Sequence, residues 1–111
     1  MNNFKTISHE DLRAKIDEKA KFVLLETTPD DEFAVGHLPG AKNLPLGDIE
    51  SRASDLIPGK DSRVVVYGKG ADSNDSEKAA KKLASMGYSK VYHFAGGKTE
   101  WHEAETPAVT V

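Results

Sequence analysis

The residues whose types and spacing could do chemistry lie in one short loop, GKGADSNDS, at 68–76. The loop follows the apolar run Val64–Tyr67 and precedes an Ala-rich helix. Loops that lead from a strand end to a helix start can hold an anion or a nucleophile, because they present backbone N–H groups. We therefore predict an active-site loop made of Gly68, Lys69, Gly70, Ala71, Asp72, Ser73, Asn74, Asp75 and Ser76.

This loop contains no Cys, His or Arg, and the whole chain contains no cysteine. Disulfides, thiolate metal sites and thiol chemistry carried out by this chain alone are therefore excluded. The four histidines lie at 9, 37, 93 and 102, without the spacing of a zinc site. We expect no metal and no cofactor.

Ser73 has three interpretations. As a nucleophile it would need a base within hydrogen-bond reach, and locally only Asp72 and Asp75 are offered. As a structural residue it helps to cap the following helix, since Ser, Asn and Asp are the preferred N-cap residues. It could also stand in the place of a cysteine. We favour the capping role.

The loop's charges and glycines bear on what it could bind. Asp72 and Asp75 oppose an anion, Lys69 offsets them in part, and either carboxylate could itself accept the loop N–H groups. We therefore expect a loop that satisfies its own N–H groups. Gly68 and Gly70 fit a tight turn that needs a positive φ or a close backbone approach.

The remaining candidates for chemistry have simpler structural interpretations. His37, in GHLPGA, could be a general base but is better explained as a hydrogen-bonding residue at a turn. Trp101 and Phe94 are expected to pack the last helix onto the sheet.

Length and charge limit the class of protein. A chain of 111 residues is expected to form one domain over 1–111. The net charge is -3 with both signs interspersed, which does not favour binding to nucleic acid or an anionic membrane. No segment has the ~20 apolar residues of a membrane span, and the N-terminus lacks a signal-peptide pattern. We expect a cytoplasmic protein.

The elements that must position the loop alternate between strands and helices. Strands are predicted at 22–25, 42–44, 64–67 and 91–94, and helices after the N-cap Ser8 and at 48–56, 75–86 and 98–103. This alternation predicts an α/β fold with a mostly parallel sheet of about five strands and helices on both faces. In such sheets ligands bind beyond the carboxyl ends of the strands, which is where the loop after Tyr67 lies.

Two long stretches resemble the rhodanese homology domain. FVLLETTPDDEFAVGHLPGAKNLPLGDI (22–49) resembles its first signature region, and VVVYGKGADSNDSEKAAKKLASMGYSKVYHFAGGKTEW (64–101) resembles its second half. The most specific pieces are EFAVGHLPGA and GYSKVYHFAGGKTEW. The resemblance extends from about Thr6 to Pro107 and implies a rhodanese-like fold.

The resemblance implies sulfur transfer through a persulfide on a loop cysteine, but this chain departs from the pattern there. The usual cysteine position is Gly68, and in relatives with a longer loop it corresponds to Ser73. The usual loop arginine has no counterpart, and the strand-end Asp and Arg are replaced by Glu26 and Thr28. The resemblance therefore implies the fold and argues against the reaction, so no residue is assigned as catalytic.

Three hypotheses of function follow. The leading one is a monomeric module with a disabled sulfurtransferase site, regulatory or vestigial, that binds an unidentified protein partner or a small anion. The second is a sulfurtransferase whose loop cysteine, at 73 or 68, is replaced in this chain. The third is an interaction domain whose loop never had a ligand.

Overall fold

The computed structural model describes residues 4–105, in which five β-strands alternate with five α-helices. The strands are β1 (Lys5–Thr6), β2 (Val23–Glu26), β3 (Lys42–Asn43), β4 (Arg63–Tyr67) and β5 (Lys90–Phe94). The helices are α1 (His9–Asp17), α2 (Asp30–Ala34), α3 (Ile49–Leu56), α4 (Asp75–Ser85) and α5 (Gly97–Glu105), with a 3-10 turn at Leu46–Asp48 before α3. The predicted strands and the helices predicted by range agree with these bounds to within about two residues.

All five strands are parallel, in the order β1-β5-β4-β2-β3. The predicted sheet is therefore confirmed, although the sequence indicated only four of its strands individually. The fifth, β1, is a two-residue edge strand whose side chains are both exposed. No apolar run in the sequence indicates β1, because a two-residue strand at the edge of the sheet does not need to bury either face.

Helices cover both faces of the sheet, as predicted. Val64 and Val66 of β4 face a core shared with α3 and α4, whereas Val65 and Tyr67 face a core shared with α1 and α5. This alternation is the period of two of a strand that is buried on both sides. None of the helices within residues 4–105 is long and apolar enough to cross a bilayer.

The helix ends have the predicted signals. The Asp11 N–H donates to Ser8 Oγ at 3.1 Å, so Ser8 caps α1. Gly87 follows α4 with a φ of +100°, the left-handed conformation in which helices commonly end.

The register of the central strands brings three strand ends together. Glu26 pairs with Tyr67, and Tyr67 pairs with Phe94. Because the strands are parallel, the chain leaves β2, β4 and β5 at the same edge of the sheet. The loop after Tyr67 therefore lies between the end of β2 and the start of α5.

Leu83 of α4 provides a test of this packing. Its side chain is fully buried against the sheet, so Leu83→Ala is expected to lower the free energy of unfolding by about 2–5 kcal/mol. Lys78→Ala, on the exposed side of the same helix, is the matched control and should change it by less than about 0.5 kcal/mol. Urea denaturation measures both, and equal effects would contradict the packing described.

Candidate active-site loop

The loop after β4 is anchored on the first turn of α5 through its carbonyl groups. The Lys98 N–H donates to Gly68 O at 3.0 Å and the Thr99 N–H donates to Lys69 O at 3.0 Å. The hydroxyl of Thr99 donates to the same Lys69 oxygen at 3.1 Å, and the Ser73 N–H donates to Gly70 O at 3.1 Å. Three successive carbonyls of the loop are thus satisfied from α5 and from within the loop.

The N–H groups of the same peptide units point the other way. In a planar trans peptide the carbonyl and the next N–H are on opposite sides, so the N–H groups of Lys69, Gly70 and Ala71 turn away from the partners of the carbonyls. None of these three N–H groups has a hydrogen-bond acceptor within residues 4–105. Neither Asp72 nor Asp75 accepts a bond from them, so the predicted self-satisfied loop is wrong.

The loop can approach α5 this closely because of a glycine in a left-handed conformation, and that glycine is Gly97 and not Gly68 or Gly70. Gly97 has a φ of +58°, and a Cβ there would lie 2.4 Å from Gly68 O. Gly68 and Gly70 do not have a positive φ. A Cβ on Gly70 would lie 2.9 Å from the hydroxyl of Thr99, whereas a Cβ on Gly68 would meet nothing closer than 3.4 Å. At Gly70 the close neighbour is thus the Thr99 side chain, and the nearest backbone atom, Gly96 O, lies 3.7 Å away, so neither alternative, a positive φ or a close backbone approach, is seen at Gly68 or Gly70.

Ser73 caps the helix. The Asp75 N–H donates to Ser73 Oγ at 3.3 Å, while the N-cap residue Asn74 makes no side-chain capping bond. In the part of the chain that the structure describes, no base is hydrogen-bonded to the Ser73 hydroxyl. Ser73 thus binds the first N–H of α4 from the position before the N-cap, in keeping with a local structural role. The nucleophile role lacks the base that it would need.

A cleft of about 460 Å³ opens between the loop and α5. Its lining consists of Lys69, Gly70, Ala71, Asp72, Ser73, Gly96, Thr99, Glu100 and Glu103. Three carboxylates thus oppose one ammonium, and none of the three is in an ion pair with another residue in 4–105. The rim is negative, which opposes the entry of an anion.

A buried carboxylate lies behind the loop, where β2 ends. Glu26 is 0% exposed, and the Tyr67 hydroxyl donates to its Oε1 at 2.7 Å. Its Oε2 accepts a bond from the hydroxyl of Thr28 and lies 2.7 Å from Lys98 Nζ. Burial is the main cause that raises the pKa of Tyr67, and its hydrogen bond to Glu26 adds to the shift.

The same network holds the GHLPGA turn. The Leu38 N–H donates to the Tyr67 hydroxyl at 3.1 Å. His37 Nδ1 lies 3.1 Å from Phe33 O, and its ring stacks on the Phe33 ring at a centroid distance of 3.9 Å. The structural role predicted for His37 is confirmed.

The aromatic packing of α5 on the sheet is also as predicted. Trp101 meets Phe94 edge to face, with their ring centroids 6.4 Å apart.

The comparisons with known proteins agree with this geometry. The family model described as "Rhodanese-like domain" matches residues 8–104. The chain belongs to the rhodanese-like domain family. It is 34% identical over 103 residues to the thiosulfate sulfurtransferase GlpE of Pseudomonas fluorescens, covering 91% of this chain and 87% of that protein. The human single-domain sulfurtransferase TSTD1 superposes with a TM-score of 0.77 at 26% identity, covering 94% of this chain and 100% of that one.

Other relatives of this rhodanese-like chain are longer. It is 27% identical over 95 residues to the putative sulfur carrier protein YrkF of Bacillus subtilis, which covers 86% of this chain. The chain spans about half of YrkF, 49% of its length, and 23% and 20% of two fungal relatives.

The rhodanese-like loop ends on a serine–histidine pair that the sequence did not reveal. Ser76 Oγ lies 2.7 Å from His93 Nε2, and the two residues are 1% and 7% exposed. They lie 17 residues apart, on the consecutive elements α4 and β5, and meet because β5 lies beside β4 and α4 packs on both. A substrate cannot reach a hydroxyl so deeply buried, so the pair is a structural hydrogen bond and not a hydrolytic dyad.

Burial of His93 predicts a pH effect on stability. Desolvation lowers its pKa in the folded protein, against a smaller raising effect of the Glu77 carboxylate. The stabilising contribution is therefore complete above the unfolded pKa of about 6.5 and is lost as the pH falls through the lower folded value. Urea midpoints should fall between neutral and mildly acidic pH, and His93→Gln should flatten that decline. His37→Gln is the exposed control, and a decline of equal slope in both variants would contradict the assignment.

Proposed function

We propose that this rhodanese-like domain does not transfer sulfur through a residue of its own and instead binds a protein partner at the active-site loop. One observation carries the proposal: the chain of 111 residues contains no cysteine. Persulfide chemistry needs a thiolate, which is both a good nucleophile and a good leaving group. The Ser73 hydroxyl, without a base, does not replace it.

The loop retains features that suit binding. Its carbonyls are held by α5, which leaves the N–H groups of Lys69, Gly70 and Ala71 available to a partner's carbonyl oxygens. A hollow beside the cleft is lined by Val35, which is 87% exposed and is the one large apolar side chain within residues 4–105 that is exposed. An extended segment of a partner could contact both.

The charge of the cleft favours a partner over a small anion. Asp72, Glu100 and Glu103 surround the opening, with only Lys69 as a counter-charge in the lining. A segment that carries a lysine or arginine would be attracted there, whereas thiosulfate would be repelled.

The alternative is a sulfurtransferase whose cysteine is replaced in this chain. The space around Gly68 favours this alternative, because a Cβ added there would make only ordinary van der Waals contacts with Ser76 and Thr27 and a cysteine would therefore fit. At the other candidate position, Ser73, a thiol would lie at the N-terminus of α4, which lowers the pKa of a cysteine.

Sulfur transfer from thiosulfate to cyanide distinguishes the two. The unmodified chain is expected to show no turnover above background, since it has no sulfur nucleophile. Gly68→Cys and Ser73→Cys are compared with Ser51→Cys, which places a thiol on the exposed side of α3. Turnover confined to one loop variant would favour the alternative, and turnover by the unmodified chain would refute the proposal. If all variants are inert, binding remains the better account.

The charge of the cleft has its own test. In the Ser73→Cys variant, a cationic methanethiosulfonate should react faster than an anionic one, on the order of tenfold at low ionic strength. High salt should lower the ratio of the cationic to the anionic reaction rate, because it screens the attraction between the cleft and the cationic reagent. The double variant Glu100→Gln/Glu103→Gln should lower the same ratio, because it removes two of the negative charges. The same ratio on Ser51→Cys corrects for the reagents. A faster anionic reagent would favour a small anion as the ligand.

A further inference from the structure

Lys98 connects three separate parts of the molecule. Its backbone N–H donates to Gly68 O at 3.0 Å, at the start of the active-site loop. Its Nζ lies 2.7 Å from Glu26 Oε2, at the end of β2, and donates to Glu32 O of α2 at 2.6 Å. No other residue in 4–105 bonds a loop carbonyl with its backbone and a fully buried carboxylate with its side chain.

The ion pair between Glu26 and Lys98 is a costly way to stabilise a fold. Glu26 is 0% exposed, so its carboxylate has lost its hydration. Lys98, whose side chain is 23% exposed, supplies the opposite charge. The attraction within a buried or part-buried ion pair often does no more than offset the loss of hydration, and apolar replacements of similar volume are frequently as stable. Global stability therefore does not explain why a charged pair is placed behind this loop.

The position of the pair offers another explanation. Lys98 is the second residue of α5 and follows Gly97, whose left-handed φ turns the chain into the helix. Fixing Lys98 Nζ on Glu26 and Glu32 fixes the first turn of α5, and that turn donates to the carbonyls of Gly68 and Lys69. The orientation of those carbonyls decides where the loop N–H groups point.

We infer that the Glu26–Lys98 pair is a positioning device that holds the active-site loop with its N–H groups available, and not an element of global stability. The inference rests on the proposed function only in taking this loop as the binding element. Lys98 is thus a positioning residue, since it acts on the loop through α5 and through its own backbone.

Amide hydrogen exchange combined with urea unfolding tests this inference. The double variant Glu26→Gln/Lys98→Met removes both charges and leaves no unpaired one. Its urea midpoint should match that of the parent, because the pair adds little net stability. The amides of residue 98, Thr99 and Ser73, which donate to the loop carbonyls, should exchange at least tenfold faster. The amide of Val66, in the middle of β4, should be unchanged.

Two further variants make the result specific. Lys81→Met removes an exposed ion pair with Glu77 and should leave all four amides at parent rates. Lys98→Arg keeps the positive charge and should keep the loop protected.

Three outcomes would overturn the inference. The first is a double variant that does not fold or whose urea midpoint is clearly lower than that of the parent. The second is an exchange rate at Val66 that rises as much as the rates at the three loop-bonded amides. The third is exchange at those three amides at the parent rate. Sulfur transfer by the unmodified chain would refute the proposed function without altering any of these exchange rates.

Discussion

The hydrogen bond from the Lys98 N–H to the Gly68 carbonyl is the contact on which the rest of the site depends. It exists because β4 and β5 end side by side and because Gly97 adopts a φ of +58°, with no Cβ to strike the Gly68 oxygen. Once this bond is made, the peptide units of the loop have a fixed orientation, with carbonyls toward α5 and N–H groups away from it. The buried Glu26 then holds the lysine side chain from behind.

In this arrangement the structure of a rhodanese-like site does not depend on the group that carries out the reaction. The loop, the helix start and the strand ends do not depend on a sulfur atom, since backbone groups and the Glu26–Lys98 pair hold them. The chemistry depends on one thiolate, which the chain lacks. Meanwhile Asp72, Glu100 and Glu103 make the entrance negative, so a loop without a nucleophile is combined with a cleft that repels anions. Both features support the proposal that the loop binds a positively charged partner.

Local signals in the sequence were good guides to local structure. The cap at Ser8, the helix end at Gly87 and the buried run in β4 were predictable because neighbouring residues determine them. The left-handed glycine that the loop needs is Gly97, at the start of α5, and not Gly68 or Gly70, for which a positive φ was one of two alternatives. The pair of Ser76 with His93 was missed for a related reason: its members belong to different elements, and only strand order brings them together.

By itself, the sequence determined the alternation of strands and helices, the position of the loop after Tyr67 and the absence of any thiol. These are properties of composition and of contiguous residues, which pattern and period express directly. The tertiary structure alone decided that Glu26 meets Lys98 and that Glu100 and Glu103 face the loop. It also decided that the Lys69, Gly70 and Ala71 N–H groups are left unpaired by residues 4–105. Such contacts join residues from separate elements. Their distances follow from the register of the parallel strands and from the packing of α5, and neither of these can be predicted from a local sequence pattern.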